Sequence, residues 1–240
     1  MKAIILSAGM GTRISRFIEE KPKSMVDIGG TTLLQYTIDM LRSRDITDIT
    51  VCVGYKADYI KNVVGEETVR YVYNPFYDVT NGIASMWFAR DFLTAEDTIV
   101  MSGDLYVEPA ILDELIEVKS SPVLLVDSTR IIDADYRFHF EDGILLRHGK
   151  DLSVDDTTGE NLGMAKLSAD FVPIYRAHMI EMIHRQKHSV WWESVMYDML
   201  PDRKIYVHDI AGKYWAEVDQ IEDYRRILKH RRAGMQGDKS

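Results

Sequence analysis

Short apolar, β-branched runs alternate with amphipathic stretches through the first half of the chain. Ala3 to Leu6 reads as a buried strand, and Leu33, Leu34, Ile38 and Leu41 fall at helical spacing within Thr31 to Ser43. Ile49 to Val53 returns to strand, Ala57 to Val64 to helix, and Val69 to Tyr73 to strand. A helix over Ile83 to Leu93 then leads to a strand over Thr98 to Met101, which ends in Ser102-Gly103-Asp104. This rhythm predicts an α/β fold, a mostly parallel sheet flanked by helices with right-handed crossovers.

After a helix over Ile111 to Val118 and a strand over Val123 to Val126 the rhythm changes. Tyr136 to Phe140 and Ile144 to Arg147 flank Glu141-Asp142-Gly143, the signature of an antiparallel hairpin. A small β-rich lid is therefore expected as an insertion at about 127–168. Ala169 to Gln186, Trp192 to Leu200 and Gln220 to Arg232 read as helices, and Ile205 to His208 as extended. The expected organisation is a single domain over 1–232 followed by a disordered tail over 233–240.

Composition narrows the functional classes. The 240 residues carry 29 basic and 38 acidic side chains, a formal charge of −9. An acidic surface opposes nonspecific binding to phosphate backbones, so no nucleic-acid partner is expected. The opening apolar run breaks at Ser7-Ala8-Gly9, too short for a signal peptide or a membrane span, and no membrane partner is expected. One cysteine, Cys52, forms no internal disulfide and fits a reducing compartment, read as the cytoplasm.

The chemistry starts directly after the first strand, in Leu6-Ser7-Ala8-Gly9-Met10-Gly11-Thr12-Arg13. A loop at the carboxyl end of a strand in an open α/β sheet is where ligands bind, and its glycines let backbone amides approach a phosphate. The spacing does not fit a dinucleotide fold: Ile14 stands where a third glycine would fall, and Val53-Gly54-Tyr55-Lys56 lacks the ribose-binding acid. A Walker-type Gly-Lys-Ser/Thr is also missing.

Pro22-Lys23 follows about ten residues later. Together, Gly9, Gly11, Arg13, Pro22 and Lys23 resemble the nucleotidyltransferase family that activates phosphorylated metabolites with a nucleoside triphosphate. The resemblance implies a Rossmann-like (GT-A-like) sheet, with Leu6, Ser7, Ala8, Gly9, Gly11, Thr12, Arg13 and Lys23 on the nucleotide. Ser7 stands where the family usually has alanine. Arg13 and Lys23 suit the neutralisation of a triphosphate during attack at its α-phosphorus.

Nucleotidyl transfer usually employs Mg²⁺ held by carboxylates and substrate phosphates. Asp104, at a strand end beside Gly103, and Asp219, after Tyr214-Trp215-Ala216-Glu217-Val218, match the family's two metal-binding aspartates. Glu217, two residues before Asp219 on the same strand face, is a further metal candidate. The competing reading of Asp219 is a helix N-cap.

The acceptor is read from Asn74 to Trp87. The family's sugar-1-phosphate enzymes carry a Pro-x-Gly-Thr-Ala segment there, whereas Asn81 and Ser85 are similar to the branch of phosphocholine and 2-aminoethylphosphonate cytidylyltransferases. Thr80, Asn81 and Ser85 are accordingly expected near the nucleotide, and Asn81 and Asp104 near the acceptor. Gly159 to Lys166 reads as a second substrate element, in which Lys166 is expected to hold the acceptor phosphate and Glu160 an ammonium or hydroxyl at its far end, against the competing reading of an exposed hairpin with solvated charges. Trp191, Trp192, Glu193 and Trp215 are read as a cage for a quaternary ammonium, against the ordinary core role of tryptophan.

The expected function is Mg²⁺-dependent transfer of CMP from CTP to a small phosphorylated alcohol or phosphonate, with Lys23, Arg13, Asp104 and Asp219 as the catalytic set. A sugar-1-phosphate nucleotidyltransferase and a catalytically silent nucleotide sensor are the alternatives. The expected partners are CTP and the acceptor, with a homodimer left open.

Overall fold

The computed structural model describes residues 1–11, 14, 16 and 18–237, without the side chains of 235–237. The elements in chain order are β1 (Lys2–Ser7), α1 (Leu33–Arg42), β2 (Asp48–Val53), α2 (Ala57–Val64), β3 (Arg70–Tyr73) and α3 (Gly82–Phe88). They continue with β4 (Thr98–Ser102), β5 (Leu105–Val107), α4 (Pro109–Glu117), β6 (Val123–Asp127), β7 (Arg137–Glu141) and β8 (Ile144–Gly149). The chain ends with β9 (Gly159–Leu167), α5 (Val172–His184), α6 (Ser194–Tyr197), β10 (Tyr206–Asp209), β11 (Trp215–Glu217) and α7 (Ile221–Gly237).

Strand β1 lies between β2 and β4, parallel to both, with Leu6 opposite Cys52 and Ser102. Because successive side chains point to opposite faces, Ala3 and Ile5 pack under α1, α2 and α4, while Ile4 packs with α3 and α5. Sheet order is β3-β2-β1-β4-β9-β6-β10-β8-β7, and β9 pairs additionally with β7. The carboxyl ends of β1, β2 and β4 therefore share one lip.

The β-rich region joins this sheet. Hairpin β7–β8 turns at Asp142 and Gly143, both at positive φ. Strand β9 places Glu160 between Asp127 of β6 and Arg137 of β7, then runs antiparallel along β4 as far as Leu167 opposite Thr98.

Local chemistry sets the element ends. Thr32 caps α1 by accepting the Gln35 amide at 3.1 Å. Helix α3 stops at Phe88 instead of running to Leu93, because the Arg90 guanidinium lies over Trp87 and donates to its carbonyl at 2.9 Å, and a 3-10 turn follows over Arg90–Phe92. Helix α5 begins beside Pro173, and Gln186, at φ 63°, cannot extend it. Helix α6 keeps four residues of the expected Trp192 to Leu200. Conversely, α7 continues through Gly237, past the expected end at Arg232, while 238–240 lie outside the described residues. No described helix is long and apolar enough to cross a membrane.

Strands β5 and β11 pair as a separate two-stranded antiparallel ribbon, each too short to carry a periodic signal in the sequence. It sets Glu217 opposite Leu105, and the Val218 amide donates to the Asp104 carbonyl at 2.9 Å. Helix α7 covers this ribbon through Ile227, packed with Tyr106, Ala216 and Val218.

Candidate active site

The loop after β1 is fastened from two directions. Ser7 and Ser24 share a hydroxyl–hydroxyl hydrogen bond of 2.5 Å, and the Gly103 amide donates to the Leu6 carbonyl at 2.8 Å. Gly11 sits at φ +60°, and a Cβ there would fall 2.5 Å from Cγ of Lys23. Glycine at this position thus serves both the left-handed turn and the packing of the Lys23 stem across the loop. Thr12 and Arg13 lie outside the described residues.

Lys23, in the turn Lys23–Met25, extends its ammonium between two carboxylates, 2.7 Å from Asp219 Oδ1 and 3.3 Å from Asp104 Oδ2. The ribbon causes this convergence, since the register that opposes Glu217 to Leu105 brings the residues just outside both strands together. Burial acts to lower the Lys23 pKa, but Asp104, Asp219 and Glu217 outweigh it and hold it raised. The neighbouring Asp104 carboxylate pushes Glu217 up to about 8. The Glu217 side chain is open to solvent, so the like charge of Asp104 rather than desolvation raises it. Among the described residues no three His, Cys, Asp or Glu side chains form a ready-made metal cage. The two aspartates nevertheless share one cation, and Mg²⁺ typically needs only one or two carboxylates beside substrate phosphates.

A cleft of about 320 Å³ opens at this lip. Leu6, Ser7, Ala8, Gly9, Gly11 and Lys23 line it on one side, and Thr80, Asn81, Ser85, Asp104, Glu160, Trp192, Glu193 and Glu217 line the rest. Asp219 and Trp215 border an adjoining cleft that shares Lys23, Glu160 and Glu217. Asn81 is the N-cap of α3, its side chain accepting the Gly82 amide at 2.7 Å. Ser85 is buried, and its hydroxyl accepts from Asn74 Nδ2 at 3.0 Å, while Thr80 donates to the Phe76 carbonyl at 2.6 Å.

The far end of the cleft is acidic and aromatic. Glu160 accepts the Asp135 amide at 2.7 Å, and burial raises its pKa against the opposing pull of that amide and Arg130. Glu193 is 6% exposed, and burial pushes it up to about 7.

Two expected residues stand elsewhere. Lys166 does not face the cleft; its buried ammonium donates to the carbonyls of Ile116 and Val118 and so closes the end of α4. The expected substrate element Gly159 to Lys166 is extended strand within β9, and the six residues from Glu160 to Lys166 span roughly 20 Å. Trp215 is not part of a cage with Trp192 and Glu193. Its indole donates to Asp127 at 2.8 Å, and its face is covered by the Arg130 guanidinium, 3.9 Å from the ring centroid.

Four lining residues carried no assignment from sequence: Ser24, Asn74, Asp135 and Tyr136. Asn74 had a signal, as a polar residue ending strand Val69 to Tyr73 at the ligand-binding lip. Tyr136 had none, because its position depends on how β7 folds back against β9.

Comparison with known proteins bears out the resemblance drawn from the glycine loop. The MobA-like NTP transferase domain matches residues 3–137. The chain is 28% identical over 244 residues to a choline-phosphate cytidylyltransferase of Streptococcus pneumoniae, covering 95% of this chain and 96% of that protein. It is 27% identical to a CTP:phosphoglutamine cytidylyltransferase of Campylobacter jejuni, covering 93% of this chain and 97% of the relative. The solved CTP:phosphocholine cytidylyltransferase from Streptococcus pneumoniae superposes with a TM-score of 0.79 at 23% identity, over 95% of this chain and 97% of that one. That superposition establishes the fold, and the domain match extends over more than half of the sequence. The chain therefore belongs to the MobA-like NTP transferase family and is a nucleotidyltransferase.

Proposed function

We propose that the protein transfers CMP from CTP to a small phosphorylated alcohol or phosphonate and releases pyrophosphate. The observation that carries this reading is the meeting of Lys23, Asp104 and Asp219 at the mouth of the glycine loop. The full-length similarity to enzymes named for choline-phosphate and phosphoglutamine supports the choice of base and acceptor class.

An acceptor phosphate or phosphonate oxygen attacks the α-phosphorus of CTP, the bond to the β-phosphate oxygen breaks, and pyrophosphate departs with the electron pair. No general base is required, since the second ionisation of a phosphate monoester lies near pH 6. The chain's work is positioning and charge neutralisation. Among the described residues a Cβ at Gly9 would meet no protein atom within 4 Å, and close approach of the triphosphate accounts for a glycine there. Lys23, and Arg13 by the resemblance, counter the phosphate charge.

Asp104 and Asp219 are the residues to hold Mg²⁺, with Glu217 beside them. When bound, the ion supplies charge stabilisation at the reacting phosphate oxygens. The buried thiol of Cys52 accords with a cytoplasmic setting.

The test is a pyrophosphate-release matrix of four nucleoside triphosphates against phosphocholine, phosphoethanolamine, 2-aminoethylphosphonate, glycerol phosphates and glucose 1-phosphate. CTP with a phospho-alcohol or phosphonate is expected to lead. Asp104→Asn should lower turnover by about 10²-fold or more while remaining folded. Preference for glucose 1-phosphate, or near-normal release by Asp104→Asn, would overturn the reading.

A further inference from the structure

One wall of the cleft carries no formal charge. Asn74, Tyr77, Thr80, Asn81 and Ser85 form it, whereas Lys23, Asp104 and Glu217 stand at the glycine loop and Asp135, Glu160 and Glu193 at the far end. A triphosphate and an ionised acceptor belong with the charged groups, which leaves the neutral wall to the pyrimidine ring.

Asn74 governs the hydrogen bonds of this wall. It is 1% exposed, and its Oδ1 accepts the Phe76 amide at 2.9 Å. A backbone amide can only donate, so the Asn74 side chain has a single allowed orientation. Its Nδ2 is thereby turned to two hydroxyls, 3.0 Å from Ser85 and 3.3 Å from Thr80, and because an NH₂ can only donate, both hydroxyls accept. Thr80 passes its own hydrogen to the Phe76 carbonyl at 2.6 Å.

Ser85 has no such outlet. Thr37 in α1 donates to the carbonyl of Leu33 one turn back at 3.0 Å, but the buried Ser85 hydroxyl in α3 has no acceptor for its hydrogen among the described residues. A buried donor is costly to leave unpaired, and this one borders the ligand cleft.

Resting on the cytidylyltransferase reading, we infer that Asn74 sets the choice of cytosine over uracil, by holding the Ser85 hydroxyl with its hydrogen free for the base. The two bases differ on the Watson–Crick edge, where N3 is an acceptor in cytosine and an N–H donor in uracil. Cytosine satisfies the hydroxyl hydrogen; uracil brings a second donor and leaves that hydrogen unpaired. Asn74 acts through Ser85 and is a positioning residue.

The experiment measures kcat/KM for CTP and UTP, with phosphocholine as acceptor, in the full-length wild type and in Asn74→Asp. The new carboxylate still accepts the Phe76 amide, but it cannot donate, so Ser85 must give it the hydrogen and turn a lone pair to the base. Work at about pH 8 keeps that carboxyl ionised. The wild type is expected to prefer CTP by about 10²-fold, and Asn74→Asp to lower that ratio by about tenfold or more. An asparagine that merely supports the fold would lower both nucleotides alike and leave the ratio unaltered.

Calorimetric binding of CTP and of 3-deazacytidine triphosphate, which has C–H in place of N3, needs no turnover. The wild type should bind CTP about tenfold more tightly than the analogue, and Asn74→Asp should bind the two within about threefold. Equal binding by the wild type, a comparison that requires no variant, overturns the inference, as does a CTP/UTP ratio unaltered in Asn74→Asp. If no acceptor releases pyrophosphate but binding still depends on N3 and loses that dependence in Asn74→Asp, the transfer reaction is wrong and the role of Asn74 stands.

Discussion

The Lys23 ammonium lies 2.7 Å from the Asp219 carboxylate, joining residues 196 positions apart. Asp104 accepts from the same nitrogen at 3.3 Å. A protein cation thus holds the point at which the proposed metal carboxylates converge.

Lys23→Met should therefore have opposite effects on binding and turnover. With the competing charge gone, nucleotide-free Mn²⁺ affinity is expected to rise roughly tenfold or more, read by electron paramagnetic resonance of the free ion. Pyrophosphate release should fall by about 10²-fold because the triphosphate loses its ammonium. Weaker Mn²⁺ binding in this variant would contradict the shared position.

Gly11→Ala tests the seat of the same lysine. The new methyl would stand 2.5 Å from Lys23 Cγ at a φ of +60°. The left-handed conformation should cost about 1–2 kcal/mol in urea unfolding, and displacement of the lysine should cost about tenfold in kcat. Full activity together with lowered stability would mean that the stem does not depend on the glycine.

Lys166→Met separates a structural lysine from a substrate-binding one. Loss of the ammonium strands the carbonyls of Ile116 and Val118, so unfolding free energy should drop by about 1–3 kcal/mol. Acceptor KM should stay within about twofold. A large rise in that constant would restore the expectation drawn from sequence.

Glu193 should also leave a signature in stability. Its carboxyl is raised from an ordinary 4.5 to about 7 in the folded protein, inside a shell formed by Tyr136, Tyr175, Tyr197 and Asn161. Folding thus favours the protonated acid. That contribution is complete below about pH 4.5 and is lost as pH climbs through about 7. Without ligand, the melting temperature of the wild type relative to Glu193→Gln should decline between pH 5 and pH 8. A difference independent of pH would show an unperturbed carboxyl.

The nucleotide half of the site was legible because its chemistry is local. Gly9, Gly11, Pro22 and Lys23 lie within fifteen residues of chain after one strand, and periodicity places that strand. Asp104 and Asp219 were legible through the resemblance, but the device that joins them was not. Leu105–Val107 is only three residues long, too short for a periodic signal. The acceptor half was the least legible. Lys166 and Glu160 share a segment, and only the extended course of β9 and its pairing with β4 separate them. Tyr136 and Trp191 meet through strand pairing and a loop, with no spacing in sequence that announces it.

Strand β9 gives the molecule a modular economy. One end is bracketed by β6 and β7 and carries Glu160 and Asn161, while the other is clamped against β4 and α4. Swapping the hairpin β7–β8 and its flanking loops between relatives would exchange the part of the cleft wall formed by Asp135 and Tyr136 and leave the loop after β1 in place. Chimeras cut at Asp127 and Gly159 would thus remodel one wall of the cleft while Glu160, Asn161 and Glu193 stay where they are.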